Sequence, residues 1–285
     1  MSRMVWLLRS AATMIVFGVF SFGAIFFGVP VFFLLTLVIR NRRRRCLVLR
    51  FLVKTGFRFI IFISGLMCVF RVRFAVCDEA PESAGEEHLR FVSGRELFAD
   101  IPENRSVIIA NHPTLVDYVI LTSVMNTNVN SMVKKSLTDG FMRHVISHLG
   151  YVNNQSPFED VAAAAQSGDN LLIFPEGSRT RGDITFRRGA ANLAVRLDMG
   201  IVPVFIYCSE PDYLSRGFLN ISAPSHVPCF YVTRGKSIRP SDVNAGDSLP
   251  PAVMARHFNR YLEELYRHRL PRFAERTVSE AGSDR

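Results

Sequence analysis

Apolar positions dominate the start of the chain, and then the rhythm changes. From Ala11 to Ile39 no residue is charged. As an α-helix this run of 29 residues would extend about 43 Å against a hydrocarbon core of roughly 30 Å, so tilt or a kink is expected. Gly18, Gly23, Gly28 and Pro30 mark where it would bend. The run is longer than a signal-peptide core and is followed by basic residues, so it reads as a retained anchor. Arg50, Lys54 and Arg58 then recur every four residues among Leu, Phe and Val. That spacing predicts an amphipathic helix whose basic stripe lies in the membrane interface. Phe59 to Phe70 is apolar but too short to span. A single span and a hairpin entering one leaflet both remain open.

Beyond residue 78 the periodicity alternates between strand-like and helix-like. Residues 78–104 are polar and predict an edge strand and loop. Strands are expected at Val107–Ala110, Ser131–Lys134, Gly150–Val152, Asn170–Phe174, Ile201–Tyr207 and Phe230–Arg234. Helices are expected near 115–125, 137–148, Phe158–Gln166, Gly189–Met199 and 251–268. Strands separated by helices predict an α/β fold, a mostly parallel sheet flanked by helices. The organisation expected is a membrane-embedded helical module over 1–77, a catalytic domain over 78–275, and a frayed polar tail over 276–285.

Charge sharpens the membrane expectation. The chain carries a formal +9, yet residues 1–77 hold twelve of the 34 Lys and Arg and no acidic residue. The remainder holds 22 basic and 25 acidic residues, a net of −3. A nucleic-acid protein would carry its basic charge on the folded domain, so anionic lipid headgroups are the expected partner and nucleic acid is not. Arg40 and Arg42 to Arg45 outweigh Arg3 and Arg9 across the apolar run, which places the globular part on the cytoplasmic side. The five cysteines have no metal-ligand spacing and read as free thiols in a reducing compartment. His144 and His148 stand four apart without a third ligand and read as ordinary helix residues. No metal is expected.

The candidate chemistry sits where the first strand of the domain ends. Val107–Ala110 runs into Asn111-His112-Pro113-Thr114, and Asp117 follows five residues after His112. Residues five apart do not face each other on a straight helix, but at a helix start the imidazole can fold back onto the carboxylate. Asp117 would then orient His112 as a general base. Asn111 suits a helix cap and Pro113 the first helical position. A second apolar strand ends at Phe174-Pro175-Glu176-Gly177-Ser178-Arg179. Pro175 cannot continue a central ladder, so the chain turns out there, and the turn can present a guanidinium and N–H groups to a phosphate. The plainer alternative is a surface turn with an ion pair.

These blocks resemble the glycerolipid acyltransferases, the PlsC-like group that includes 1-acylglycerol-3-phosphate acyltransferase. Asn111-His112 with Asp117 resembles the first block of that family. Phe174 to Arg179 resembles its Phe-Pro-Glu-Gly-[Thr/Ser]-Arg block. Phe186-Arg187-Arg188-Gly189-Ala190 is similar to Phe-Lys-x-Gly-Ala, and Ile201-Val202-Pro203-Val204 to the apolar fourth block. The resemblance covers residues 107–205 and implies a glycerol-3-phosphate acyltransferase-like fold. It implies catalytic His112 and Asp117, and a substrate site drawing on Asn111, Glu176, Gly177, Arg179, Arg187 and Lys134. Lys134-Lys135 reads equally as a solvated pair. The implied reaction moves a fatty acyl group from acyl-CoA or acyl carrier protein to a lysophospholipid hydroxyl, in phospholipid biosynthesis. No cofactor beyond that co-substrate is expected, and the location implied is a bacterial inner membrane. One departure stands out. Relatives carry Gly-x-[Ile/Val]-x-x-Arg where this chain has Gly150-Tyr151-Val152-Asn153-Asn154-Gln155. One phosphate-directed cation is missing. Lysophosphatidic acid and a lysolipid with another headgroup, such as an aminolipid, both stay open as acceptors. Hydrolysis is disfavoured because no Gly-x-Ser-x-Gly elbow stands near His112. A non-catalytic membrane scaffold would have no use for the His112 and Asp117 pair.

Overall fold

The computed structural model describes residues 3–78, 89–101, 106–139, 143–177, 183–210, 213–214, 226–243 and 249–283. Three helices come first: α1 (Arg3–Phe22), α2 (Val29–Val38) and α3 (Arg42–Leu66). The uncharged run is interrupted by a π-helical turn at Gly23–Gly28. Pro30 has no N–H to return to the preceding turn, which favours such a widening. The chain reverses at Ile39, which is extended, and Asn41 caps α3 by accepting from Arg44 N at 3.0 Å. Among the described residues, no helix is long and apolar enough to cross a membrane.

Among the described residues the α/β part has eight strands: β1 (Arg71–Val76), β2 (Arg90–Val92), β3 (Ser106–Ala110), β4 (Val129–Val133), β5 (Val152–Asn153), β6 (Asn170–Ile173), β7 (Gly200–Cys208) and β8 (Cys229–Arg234). Their order across one sheet is β2-β1-β8-β7-β3-β6-β4-β5. Among the described residues five of the seven pairings are parallel, and β1 with β2 and β7 with β8 run antiparallel. The remaining helices are α4 (Asp117–Val124), α5 (Lys135–Asp139), α6 (Arg143–Leu149), α7 (Phe158–Gln166), α8 (Gly189–Leu197), α9 (Pro240–Val243) and α10 (Pro251–Ser283). Every residue of β3 and β6 is buried, as a sheet covered on both faces requires. One face packs Ile120 and Leu121 of α4 and Val16 of α1 against Ile108 and Val204. The other packs Leu193 of α8 and Phe258, Leu262 and Tyr266 of α10 against Ile109 and Phe205.

Four expectations are corrected. Arg71–Val76 belongs to the sheet, not to the N-terminal helices: the strand pairs with β8 and β2. The apolar run before it hid the switch to a two-residue period. The predicted 137–148 helix is two short ones, α5 and α6. The last helix runs on to Ser283, past the expected start of a frayed tail at Arg276. The fourth correction concerns the basic stripe of α3, which faces the α/β domain. Arg50 is buried and donates to Leu149 O at 2.9 Å, and its guanidinium lies 3.0 Å from Asp169. Arg43 also meets Asp169, and Arg58 Nε donates to Ser123 O at 2.8 Å. A buried carboxylate and loose helix-end carbonyls outcompete water for these cations. Phe51, Phe59, Phe62 and Leu66 are left exposed on the outer side of α3.

Candidate active site

At the carboxyl end of β3 the chain leaves the sheet at Asn111, and α4 begins only at Asp117. The intervening turn brings His112 Nδ1 to 2.9 Å from Asp117 Oδ2. Asp117 is fully buried and the imidazole about one-fifth exposed. Thr114 completes the carboxylate's shell: its N–H donates to Oδ2 at 2.7 Å and its hydroxyl to Oδ1 at 2.6 Å. A carboxylate oxygen accepts, so this bond puts the ring proton on Nδ1 and makes Nε2 the basic nitrogen. The ring rests on Phe174, centroids 4.5 Å apart. Asp117 also sits in the first turn of α4, where the helix dipole favours a negative charge.

The second turn meets the first through its acid. Glu176 Oε1 accepts the backbone N–H of His112 at 3.2 Å, so this carboxylate ties the two turns together. Gly177 N donates to Phe174 O at 3.0 Å and takes φ +68°, a conformation that favours glycine. A Cβ there would stand 2.9 Å from Arg187 Nε, so the Arg187 guanidinium lies directly against the turn. Arg187 N donates to Pro175 O at 2.8 Å, and its side chain is exposed. Lys134 is exposed just past β4, the neighbour of β6, at the same end of the sheet. Arg179 lies outside the described residues.

Asn111 is used differently from the sequence reading. Its amide donates to Ile206 O and accepts from Ile206 N, both at 2.8 Å, and the residue is buried. It does not cap α4: it locks the exit of β3 to β7. The first residue of α4 is Asp117, so Pro113 also falls outside the helix. The position of the missing Arg is held by Gln155, and the two amides before it bond locally. Asn154 Oδ1 accepts from Lys135 N at 2.9 Å, and Asn153 Oδ1 accepts from Gln155 N at 2.8 Å. Sequence reasoning missed Thr114, whose signal was a Thr three residues before an Asp, the spacing of local side-chain to backbone bonding. It also missed Tyr266. Pro203 pairs with Ile109 yet has no N–H, and the Tyr266 hydroxyl enters the ladder there, donating to Ile109 O at 2.9 Å and accepting from Val204 N at 3.0 Å. The proline in a central strand was the available clue.

Residues 82–207 match the family model described as acyltransferase. The motif order and the geometry of the site agree with that match, so the segment is similar to the PlsC-like acyltransferases. Curated proteins similar to this chain are named 1-acyl-sn-glycerol-3-phosphate acyltransferases. The one from Borreliella burgdorferi is 29% identical over 150 residues, covering 48% of this chain and 59% of the relative. The human beta enzyme is 26% identical over 140 residues, covering 43% and 50%. The chain thus spans about half the length of these curated relatives. The crystal structure of the 1-acyl-sn-glycerophosphate acyltransferase PlsC from Thermotoga maritima shares the fold, with a TM-score of 0.58 at 14% identity over 94% of this chain and 97% of that one.

Proposed function

We propose that this protein transfers a fatty acyl group from a thioester donor, acyl-CoA or acyl carrier protein, to the hydroxyl of a lysophosphatidic acid-like acceptor. The observation that carries this is the pair at the carboxyl end of β3: a partly exposed His112 imidazole held through Nδ1 by the buried Asp117. His112 Nε2 takes the acceptor's hydroxyl proton. The oxygen attacks the thioester carbonyl, the tetrahedral intermediate expels the thiolate, and the imidazolium returns the proton to it. Asp117 stabilises the imidazolium between those steps. Arg187, Arg179 and Lys134 offer the positive charge for an acceptor phosphate, and Arg179 or N–H groups of the His112 turn would stabilise the oxyanion. The names of the relatives support a 1-acylglycerol-3-phosphate acceptor. The uncharged Gln155 at the position of the missing Arg favours a second reading, an acceptor with another headgroup.

The site is proposed to work at a membrane surface, on the cytoplasmic side. Met14, Ile15, Phe22, Phe33 and Leu37 on α1 and α2, with Phe51, Phe59 and Phe62 on α3, expose more apolar surface than a water-facing layer carries. This favours the hairpin that enters one leaflet over the single span. Membranes holding the full chain, or its His112→Ala form, are to be supplied with each donor and a panel of lysolipids. Acylation of lysophosphatidic acid that falls at least about a thousand-fold in His112→Ala is expected, with the activity staying in the membrane fraction through a high-salt wash. Substantial turnover by His112→Ala would sink the base role. Release by salt would sink the insertion.

A further inference from the structure

The C-terminal helix lies wholly outside the matched family segment, yet it grips the strap that carries Arg187. Asn259, Glu263 and Arg267 recur every four residues along one side of α10. Arg267 Nη2 donates to Ile184 O at 2.9 Å. Glu263 Oε1 accepts Phe186 N at 2.7 Å, and Asn259 Nδ2 donates to Phe186 O at 3.2 Å. Asn259 Nδ2 also donates to Glu263 Oε1 at 3.2 Å, so acid and amide hold each other as they hold the strap. Both backbone polar groups of Phe186 are therefore bound by α10, and its ring packs edge-on against Tyr266 at 5.0 Å. The next residue is Arg187, tied by its own N–H to Pro175 O and lying against Gly177.

We propose that Glu263 is a positioning residue for the acceptor's phosphate: through the Phe186 N–H it fixes the backbone from which Arg187 reaches over the Gly177 turn. This rests on the function proposed above, in which Arg187 meets that phosphate. Glu263 is far along the chain from the His112 turn, so its loss should show in acceptor binding and leave the chemical step intact. Without it a buried N–H loses its acceptor, and the strap settles elsewhere. A displacement of about 1 Å in a positioning group can cost up to roughly a hundred-fold.

The test is steady-state kinetics of the full chain in membranes, with Glu263→Ala, Glu263→Gln, Arg187→Ala and the Glu263→Ala/Arg187→Ala double variant. Glu263→Ala should raise the acceptor KM about ten-fold, with kcat and the donor KM moved by less than about two-fold. Glu263→Gln should restore most of the loss, because an amide oxygen accepts the same N–H. In the Arg187→Ala background the Glu263→Ala change should add less than about two-fold, since the group it positions is already gone. If Glu263→Ala does not fold, Asn259→Ala carries the same expectation at smaller size. Additive losses, or a fall in kcat with the acceptor KM unmoved, overturn the proposal. Absence of His112-dependent turnover in the wild type defeats the function reading and takes the positioning role with it. Normal wild-type turnover with an unmoved acceptor KM in Glu263→Ala defeats the positioning role alone.

Discussion

Two turns meet at the carboxyl end of the sheet, and the chain holds them by different means. In the His112 turn the side chains themselves are fixed: Asp117 is fully buried and spends its carboxylate on His112 and Thr114. At the Gly177 turn it is the backbone of Arg187 that is bonded. Arg187 is anchored at its N–H, while its guanidinium lies exposed against a residue without a Cβ. The contrast separates two tasks. A base must have its tautomer and direction set before the substrate arrives, because reorganisation during the reaction adds to the barrier. A cation meeting a headgroup can keep its reach, provided its root does not move. The first turn should therefore govern kcat and the second the acceptor KM.

The sharpest way to break that division is Asp117→Asn. The shape is kept, but the amide can present its NH2 to the imidazole and favour the wrong tautomer, and it cannot stabilise an imidazolium. A fall in kcat of roughly 10³–10⁴-fold is expected with the acceptor KM within about three-fold. Steady-state rates with saturating donor would read it. If instead KM rises and kcat holds, the two turns are not divided in this way.

How much of this was legible in the sequence follows from where the partners lie. His112 and Asp117 are five residues apart, and the turn that joins them is written between them, so the pair was readable. The parallel bias of the sheet was readable too, since strands alternate with helices along the chain. The direction of the α3 stripe was not. A helix with Arg50, Lys54 and Arg58 among apolar residues is equally amphipathic whether the cations face water or a protein. What decides is Asp169, Leu149 O and Ser123 O, and these bonds cross 126 residues for Arg43, 99 for Arg50 and 65 for Arg58. The role of α10 was hidden likewise, because nothing local in Asn259 or Glu263 names the backbone of Phe186. Asn111 was read as a helix cap because its residue type suits one, whereas its amide is spent on Ile206, 95 residues away.

Gly177→Ala probes the other turn with a smaller expected effect. A Cβ at φ +68° costs about 1–2 kcal/mol of backbone strain, and it would stand 2.9 Å from Arg187 Nε. The guanidinium is the far end of a flexible side chain and can retreat, so the fold should survive. The acceptor KM should rise about ten-fold while kcat stays within about two-fold, and a lysolipid without a phosphomonoester should be affected less. Equal losses for both acceptors would mean that the turn supports the fold rather than the phosphate.

The smallest expected effect concerns Cys208, the last residue of β7, on the strand that Asn111 locks to the exit of β3. A covalent route would pass the acyl group through a thiolate before it reached the acceptor, and would make His112 the activator of a nucleophile. Cys208 is poorly suited to that part. Burial pushes its thiol up to about 12, with the charge of Asp117 adding in the same direction, so the group stays protonated at neutral pH. Its Sγ already donates to Glu210 O at 3.3 Å. Cys208→Ala should therefore keep kcat within about two-fold, and no acyl-enzyme should survive acid quenching for mass spectrometry. A loss of a hundred-fold or more, with an acylated Cys208 trapped in the wild type, would move the chemistry from the His112 turn onto β7. The two turns would then no longer share the work between them as kcat and KM.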